Sequence, residues 1–181
     1  TDFDTVYCFI NHEWGSHFDY SFNGGYDWNQ VYFGETAKIY DAFLLNSDTG
    51  YLVSKSINSN MLIKFTQGVH LDTLIYTDTL NLVSSKIFFV NSTVGYLTAS
   101  DNSNNSLLLC TNDGGETWSV NNITSEYIFN NMYFISDSFG FIICDEGHIL
   151  KTTDYGQNFT ILETPTSNNL TDIQFANDSS A

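Results

Sequence analysis

The stretch Thr111-Asn-Asp-Gly-Gly-Glu-Thr-Trp118 decides the fold of this 181-residue chain, because the same pattern returns elsewhere in the sequence. Residues 152–159 read Thr-Thr-Asp-Tyr-Gly-Gln-Asn-Phe, and residues 21–28 read Ser-Phe-Asn-Gly-Gly-Tyr-Asp-Trp. A weaker copy at 64–71 keeps only a glycine and a final apolar residue. The copies start at residues 21, 64, 111 and 152, which predicts a chain built from repeated units.

A second marker repeats in step with the first. Residues 89–97 read Phe-Val-Asn-Ser-Thr-Val-Gly-Tyr-Leu, and residues 134–142 read Phe-Ile-Ser-Asp-Ser-Phe-Gly-Phe-Ile. Residues 43–52 carry the same pattern with one extra residue, so that the shared glycines are Gly50, Gly95 and Gly140. Near the start of the chain, Val6 takes the place of this glycine.

Each unit is predicted to form four short strands. An apolar run, a polar turn and a second run are followed by a loop, a third run, the glycine-rich turn and a fourth run. Aromatic residues make up 16% of the chain, which favours strands, and no segment has a sustained helical period. The sequence therefore predicts an all-β fold, a β-propeller of four-stranded antiparallel blades, with about four blades here.

The unit boundaries follow from the two markers. We expect one propeller domain over residues 1–181, with a partial blade at 1–33, blades at 36–80, 82–125 and 127–166, and a strand at 168–181. That last segment either closes a four-bladed ring by completing the partial blade or begins the next blade of a larger propeller. We favour the larger propeller, because the two ends do not join at one full repeat.

The turn at 111–118 matches the Asp box, Ser/Thr-x-Asp-x-Gly-x-Thr-Trp, which is also called the BNR repeat. With the segment Gly-His-Ile-Leu-Lys-Thr-Thr-Asp-Tyr-Gly at 147–156, the repeat resembles the photosystem II stability and assembly factor-like propellers. That resemblance covers nearly the whole chain and implies the fold more specifically than a function. Many secreted bacterial proteins share it, so we expect an extracellular, cell-surface or periplasmic location.

We assign the Asp-box residues to folding and expect none of them to be catalytic. The acid can accept hydrogen bonds from backbone N–H groups of its own turn, the glycine supplies unusual backbone angles, and the final aromatic ring is expected to anchor the turn in the blade core. These structural residues are Ser21, Asn23, Gly25, Trp28, Thr111, Asp113, Gly115, Thr117, Trp118, Thr152, Asp154, Gly156 and Phe159.

Charge excludes several classes of function. Five lysines, no arginine and 21 acidic residues give a net charge of −16, so no basic patch can form and nucleic-acid binding is not expected.

No stretch approaches the ~20 apolar residues of a membrane span, so direct membrane insertion is not expected. Asp-box sialidases resemble one another in holding their substrate with three arginines. This chain has no arginine, so we do not expect a sialidase.

The loops between the second and third strands form the candidate binding face. Its residues are His12, Glu13, Trp14, Asp101, Asp145, Glu146 and His148. The acids suit a divalent cation such as calcium or a basic partner, and ordinary solvated turns are the alternative. No other cofactor is expected. Trp14 and Tyr20 are predicted to pack in the interior rather than to stack on a sugar.

The three cysteines, Cys8, Cys110 and Cys144, each lie in an apolar run. Their odd number and wide spacing fit neither a disulfide framework nor a zinc site, so we predict small buried side chains.

The sequence thus favours a non-enzymatic binding or scaffold module for a protein or glycan partner, outside the cytoplasm. A carbohydrate-active enzyme of the Asp-box type, other than a sialidase, is the alternative. A photosynthetic assembly factor is a further alternative, against which the lack of arginine counts. No feature of the sequence sets the oligomeric state.

Overall fold

The structure is a computed structural model that describes residues 4–33, 36–57, 59–67, 70–77, 85–101, 103, 105–125 and 127–175. The chain divides into two compact units, Thr1–Asp78 and Thr79–Ala181. In the described residues the regular structure is all strand apart from one 3-10 turn at Asp145–Gly147, as the sequence predicts. Those residues contain no helix long and apolar enough to cross a membrane.

Unit 1 contains two antiparallel sheets. Sheet A has the order β1-β2-β3, and sheet B has the order β4-β5-β6-β7. The strands of sheet A are β1 (Val6–His12), β2 (Gly15–Ser21) and β3 (Asn29–Tyr32). The strands of sheet B are β4 (Lys38–Leu44), β5 (Thr49–Lys55), β6 (Asn60–Thr66) and β7 (His70–Thr77).

Unit 2 contains two further sheets, C and D, each with four antiparallel strands in chain order. The strands of sheet C are β8 (Ile87–Phe89), β9 (Gly95–Ser100), β10 (Ser106–Thr111) and β11 (Ser119–Ser125). The strands of sheet D are β12 (Phe129–Phe134), β13 (Gly140–Cys144), β14 (His148–Thr152) and β15 (Thr160–Glu163). In sheets B, C and D, four strands that follow one another in sequence are neighbours in the sheet, which is the topology predicted for a blade. The predicted boundary near residue 81 lies outside the described residues.

Sheet A corresponds to the second, third and fourth strands of the other sheets. Its strand β2 leads into the turn at 21–28, just as β10 and β14 lead into the turns at 111–118 and 152–159. Among the described residues, β1 pairs with β2 alone. Sheets B, C and D have one more strand on that side.

The repeated glycine makes room for an aromatic ring. Gly95 lies opposite Phe89 and Gly140 lies opposite Phe134 in neighbouring strands. A Cβ atom on Gly95 would lie 2.6 Å from the Phe89 ring, and one on Gly140 would lie 2.3 Å from the Phe134 ring. Any side chain there would displace the ring, so the glycine is a packing requirement.

The sheets of each unit pack face to face through aromatic residues. In unit 1, Phe18 and Phe65 are fully buried, with their ring centroids 5.2 Å apart. In unit 2, the rings of Tyr96 and Phe134 are stacked, with centroids 3.6 Å apart. Each unit therefore has its own hydrophobic core.

The C-terminal segment forms no strand over residues 168–175, where the sequence predicts the beginning of one. It still lies against sheet D, because the Leu170 N–H donates to the Cys144 carbonyl at 3.1 Å. The Phe175 ring packs on Tyr133 and Phe141 at centroid distances of 5.3 and 5.1 Å. The rest of the predicted strand, 176–181, lies outside the described residues.

Candidate functional site

Each unit has two distinct ends, and the three Asp-box segments (21–28, 111–118 and 152–159, called the box turns below) lie at one of them. In unit 2 the Gly114 N–H donates to the Thr93 carbonyl at 2.9 Å, and the Tyr155 N–H donates to Ser138 at 3.3 Å. Both box turns therefore lie beside the turn that joins the first two strands of their sheet. The loops between the second and third strands lie at the opposite end.

Unit 1 has the same arrangement. The Gly24 N–H of the box turn donates to the Asp4 carbonyl at 2.7 Å, just before β1 begins. In sheet B the Gln67 N–H, after β6, donates to the Asp48 carbonyl at 2.6 Å, between β4 and β5. The turn His12–Gly15 is therefore at the end away from the box turn.

The box turn at 111–118 is closed by its own acid. The Asp113 carboxylate accepts from the Thr117 N–H at 2.9 Å and from the Thr117 hydroxyl at 2.6 Å. It also accepts from the Thr111 hydroxyl at 2.8 Å, and that hydroxyl accepts from the Gly115 N–H at 2.9 Å. The carboxylate is thus used inside the turn, which suits a structural role and leaves it poorly placed for catalysis.

The other two box turns repeat this network with different partners. Asp154 accepts from the Asn158 N–H at 2.9 Å and from the Asn158 amide at 2.8 Å. Asn23 accepts from the Asp27 N–H through its oxygen at 2.9 Å and donates through its amide to the Asp27 carboxylate at 2.8 Å. The residue four positions after Asn23, Asp113 or Asp154 therefore differs in each turn, but it always bonds to that side chain.

These hydrogen bonds stabilise the charged form of the acids. The bonds from the Thr117 hydroxyl and N–H lower the pKa of Asp113 to about 2. The bonds from Asn158 lower the pKa of Asp154 in the same way. Both carboxyls are fully ionised at neutral pH and have no proton to give as an acid.

The aromatic residues that end the box turns lie at different depths. The Trp118 indole N–H donates to the Gly115 carbonyl at 2.9 Å, and its ring packs edge-on against Phe89. Phe159 packs against the core of unit 2. Trp28 makes the same bond to Gly25 at 2.9 Å but is 46% exposed, so it covers its own turn rather than the expected core position.

In unit 1 the candidate binding face is a two-residue turn that presents Trp14. His12 pairs with Gly15, so Glu13 and Trp14 occupy the tip between β1 and β2. Trp14 is 74% exposed, contrary to the packing expected from the sequence, whereas Tyr20 is buried as expected. The difference arises because the tip of this turn extends beyond the sheet, where none of the described strands covers it.

The backbone of this turn is held in place. The Tyr32 hydroxyl of β3 donates to the Trp14 carbonyl at 2.8 Å, and the Trp14 N–H donates to the His12 imidazole at 3.4 Å. Glu13 lies exposed between them. An exposed indole beside a carboxylate can bind a cationic side chain by cation–π contact and ion pairing.

In unit 2 the candidate carboxylates are largely used by their own loops. Asp101 accepts from the N–H groups of Ser103 and Asn105 at 2.8 and 2.9 Å, and from the Asn105 amide at 2.8 Å. The bonds from Asn105 lower the pKa of Asp101. Asp145 accepts from the Ile128 N–H at 2.9 Å. These contacts fit loop closure better than an open cation site.

The remaining candidates in unit 2 lie on the 3-10 turn. His148 stacks on Tyr127 with ring centroids 4.0 Å apart, so its ring is a packing element. Glu146 has a positive φ of 52° and an exposed side chain. In the described part of the chain no three His, Cys, Asp or Glu residues gather as a metal site. Calcium binding therefore stays a prediction.

Sequence reasoning missed one further feature, an open groove in unit 1. It has a volume of about 530 Å³ and is lined by residues of β1 and β4, which include Phe9, Asn11, Phe43 and Leu44. The Asn11 side chain bridges the two strands, because its amide donates to the Ile39 carbonyl at 2.7 Å and its oxygen accepts from the Ile39 N–H at 2.8 Å. Only the valine at position 6, in place of the usual glycine, marks sheet A as different in sequence.

Comparison with known proteins identifies the fold. No family model matches the chain, and no curated protein matches it. YCF48 from Cyanidioschyzon merolae has a similar structure, with a TM-score of 0.63 and 13% identity over 91% of this chain and 56% of that one. The GH74 enzyme of Niastella koreensis gives a TM-score of 0.52 and 18% identity over 71% of this chain and 23% of that one. The chain has a β-propeller fold.

A structure of YCF48 bound to a D1 peptide is also similar, with a TM-score of 0.44 and 10% identity over 91% of this chain and 82% of that one. The chain spans about half the length of the Cyanidioschyzon protein (56%) and about a quarter of the GH74 enzyme (23%). The likeness to the Cyanidioschyzon protein and to the GH74 enzyme establishes the fold alone at these identities, and the function has to be argued from the chain's own residues.

Proposed function

We propose that this propeller is a non-enzymatic binding module that holds a protein partner, outside the cytoplasm, through the turn His12–Gly15. The observation that carries the proposal is Trp14, which is 74% exposed on a turn whose backbone is fixed by Tyr32. Tryptophan is among the residues that most often dominate binding energy at protein interfaces, and a rigid turn loses little entropy when it binds.

The charge of the chain suggests the partner's chemistry. With a net charge of −16, the module attracts basic segments and repels acidic ones. At the turn itself, Glu13 can pair with a lysine or arginine whose cationic group lies over the Trp14 indole. The partner is therefore a protein with an exposed basic segment.

Binding to an array of Lys/Arg-containing peptides tests this function, with matched acidic peptides as the negative set. Binding is expected to weaken as salt rises and to fall about tenfold or more in Trp14→Ala. Tyr26→Ala is the matched control, because Tyr26 is an aromatic residue that is even more exposed than Trp14 (90% against 74%) but lies on the box turn. Equal binding by all three proteins would overturn the proposal.

The same preparation separates this function from the alternatives. A panel of polysaccharides is tested for binding and for hydrolysis. Polysaccharide hydrolysis that persists through purification of the chain would contradict the non-enzymatic binding module and indicate a glycoside hydrolase. Trp14-dependent binding of a glycan, without binding of basic peptides, would replace the protein partner by a carbohydrate.

A further inference from the structure

A cleft in unit 2 lies between the box turns at 111–118 and 152–159. It has a volume of about 220 Å³, and every residue that lines it belongs to the described part of the chain. These residues come from β9, β10, β11 and both box turns. The cleft is therefore at the box-turn end of unit 2, away from the loops that carry Asp101 and Asp145.

Three amide side chains line the cleft from three different segments. Asn112 belongs to one box turn, Gln157 to the other, and Asn121 to β11. The Asn121 amide donates to the Gly156 carbonyl at 2.9 Å, which fixes this side chain against the second box turn. Within the described residues the Asn121 oxygen accepts no hydrogen bond, and the side chains of Asn112 and Gln157 make none. These groups are therefore available to a ligand.

The blade repeat does not require these amides. The position of Asn121 holds Val31 in sheet A and Leu162 in sheet D, and Asn112 has Thr153 as its counterpart in sheet D. A second cleft, of about 320 Å³, lies at the equivalent place on sheet D and is lined by Thr153, Leu162 and charged side chains. The set of amides is thus a property of the cleft between sheets C and D, and the fold does not dictate it.

Tyr155 borders the cleft in a backbone conformation that favours glycine. Its φ is 63°, and the equivalent residues of the other box turns are Gly24 and Gly114, with φ of 70° and 72°. A side chain in this left-handed region is strained. The Tyr155 N–H bonds to Ser138 as the Gly114 N–H bonds to Thr93, so the turn forms equally with glycine. The strain points to a use for the tyrosine ring outside the turn itself.

The Tyr155 ring lies at the border between the cleft and the solvent. Tyr96 lines the cleft and is buried, whereas Tyr155 is 53% exposed. Burial raises the pKa of Tyr96, and the nearby Cys110, Asp137 and Tyr155 add to the rise. The Tyr155 phenol is therefore close to the buried Tyr96 phenol, and part of its ring is open to a ligand.

The lining selects an uncharged, polar ligand. None of the lining residues, all of which the structure describes, is charged at neutral pH, so a bound ion would have no group of opposite charge. Amide side chains both donate and accept hydrogen bonds, as sugar hydroxyls do. The volume of about 220 Å³ is below the roughly 300–1,000 Å³ of pockets for drug-sized ligands, which suits a single sugar ring.

We propose that this cleft binds one neutral sugar unit of a glycan. Tyr155 packs on the face of the sugar ring. The amides of Asn112 and Gln157 bond to its hydroxyls, and the Asn121 oxygen accepts from a further hydroxyl. The site goes beyond the proposed function, because it belongs to unit 2, uses no charge and does not involve Trp14.

The methyl glycosides of glucose, galactose, mannose and N-acetylglucosamine are the probes, and NMR of the side-chain amides follows their titration into the intact chain. At least one glycoside is expected to bind saturably and to shift the amide signals of Asn112, Asn121 and Gln157. Its affinity is expected to be the same at low and high salt, because no charge takes part. The uronic-acid form of the same sugar is expected to bind more weakly, because the charge of −16 repels it.

Tyr155→Gly gives this turn the residue that the other two box turns have. Affinity for the sugar is expected to fall about tenfold or more, because the ring is lost. The melting temperature is expected to change little, because relief of the positive φ offsets the greater freedom of glycine in the unfolded chain. Tyr155→Phe keeps the ring and most of the affinity. A purely structural role for the ring would instead lower the melting temperature of Tyr155→Gly.

A second pair of variants tests the amides. Asn112→Ala is expected to weaken sugar binding by about three- to tenfold, the size of one lost hydrogen bond. Thr153→Ala, at the equivalent position of the next box turn, is the matched control and is expected to bind as the unchanged chain does. Should Tyr155→Gly fail to fold, this pair still decides. Trp14→Ala is expected to bind the sugar without loss.

Several results would overturn the site. They are no binding by any of the four glycosides, equal binding by the unchanged chain and Tyr155→Gly, and equal binding by Asn112→Ala and Thr153→Ala. Binding of the neutral peptide acetyl-Gly-Asn-Gly-amide in place of the sugars would assign the cleft to a peptide and overturn it too, as would sugar binding that Trp14→Ala abolishes. Sugar binding without any binding of basic peptides would overturn the proposed function alone.

Discussion

The side-chain amide of Asn23 donates a hydrogen bond of 2.8 Å to the carboxylate of Asp27. In the turn at 111–118 the direction is reversed, because the carboxylate of Asp113 accepts from the Thr117 hydroxyl at 2.6 Å. Asp154 likewise accepts from an amide, that of Asn158. When the box position holds an acid, the residue four positions later has to donate a hydrogen bond. When the box position holds an asparagine, the residue four positions later can be an acceptor.

Asn23→Asp is expected to destabilise the chain at pH 7, because it places a second carboxylate against Asp27. We expect a fall in melting temperature of about 2–4 °C, the size that ~1 kcal/mol produces in a domain of this length. The double variant Asn23→Asp/Asp27→Thr recreates the pair found at 113 and 117 and should recover the loss. Thermal unfolding followed by circular dichroism measures both, and an unaffected single variant would contradict the rule.

Acid is expected to destabilise the fold through the same acids. The pKa values of Asp101, Asp113 and Asp154 are lowered, that of Asp113 to about 2, against an ordinary value of 3.8. A group with a lowered pKa stabilises the fold fully above its unfolded value and loses this contribution as the pH falls through its folded value. Melting temperatures should therefore fall between about pH 4 and pH 2.

Asp113→Asn is the matched variant for this pH effect. The Asn23 turn shows that an asparagine oxygen can make the bond to the N–H four residues later. The variant should therefore fold, and its melting temperature should depend less on pH between about 4 and 2, because one of the three described carboxyls with a lowered pKa is gone. Parallel curves for the variant and the unchanged chain would show that Asp113 carries none of the acid sensitivity.

The blade repeat could be predicted from the sequence because its markers are local. Gly95 and Gly140 repeat in step with the box turns, and each is required by a ring in the adjacent strand. Trp14 could not be placed in the same way. Its exposure depends on whether another element covers the tip of a two-residue turn, and a local pattern of apolar residues does not contain that information.

The same reason explains the cysteines. All three lie in apolar runs, which predicted burial, but Cys8 is exposed while Cys144 is buried. Cys8 lies between Tyr7 and Phe9, whose rings pack into the core of unit 1, so its side chain points to the other face of the strand. The exposure of Cys8 is therefore decided by the alternation of side chains between the two faces of the strand. A continuous run of apolar residues does not show which of them lie on the exposed face.

Gly140→Ala should show how tightly the repeat is packed. The new methyl group would lie 2.3 Å from the Phe134 ring, so the ring has to move, at a cost of about 1–3 kcal/mol in unfolding free energy. In a Phe134→Leu background the smaller side chain leaves room, and the same substitution should cost less. Urea unfolding of the four proteins measures the coupling. Equal costs in both backgrounds would rule out the ring as the reason for the glycine.

Thiol reactivity should distinguish the three cysteines. Burial raises the pKa of the Cys110 thiol and of the Cys144 thiol to about 12, and the charge of Asp145 adds to the effect at Cys144. The thiolate is the reactive form, so both should react slowly at pH 8. A chromogenic disulfide reagent should therefore titrate one thiol rapidly in the folded chain and three in denaturant. Cys8→Ser should remove the rapid phase and leave the slow one. Two rapid thiols in the folded chain would contradict this prediction and would point to Cys110, the less buried of the pair, as the second reactive thiol.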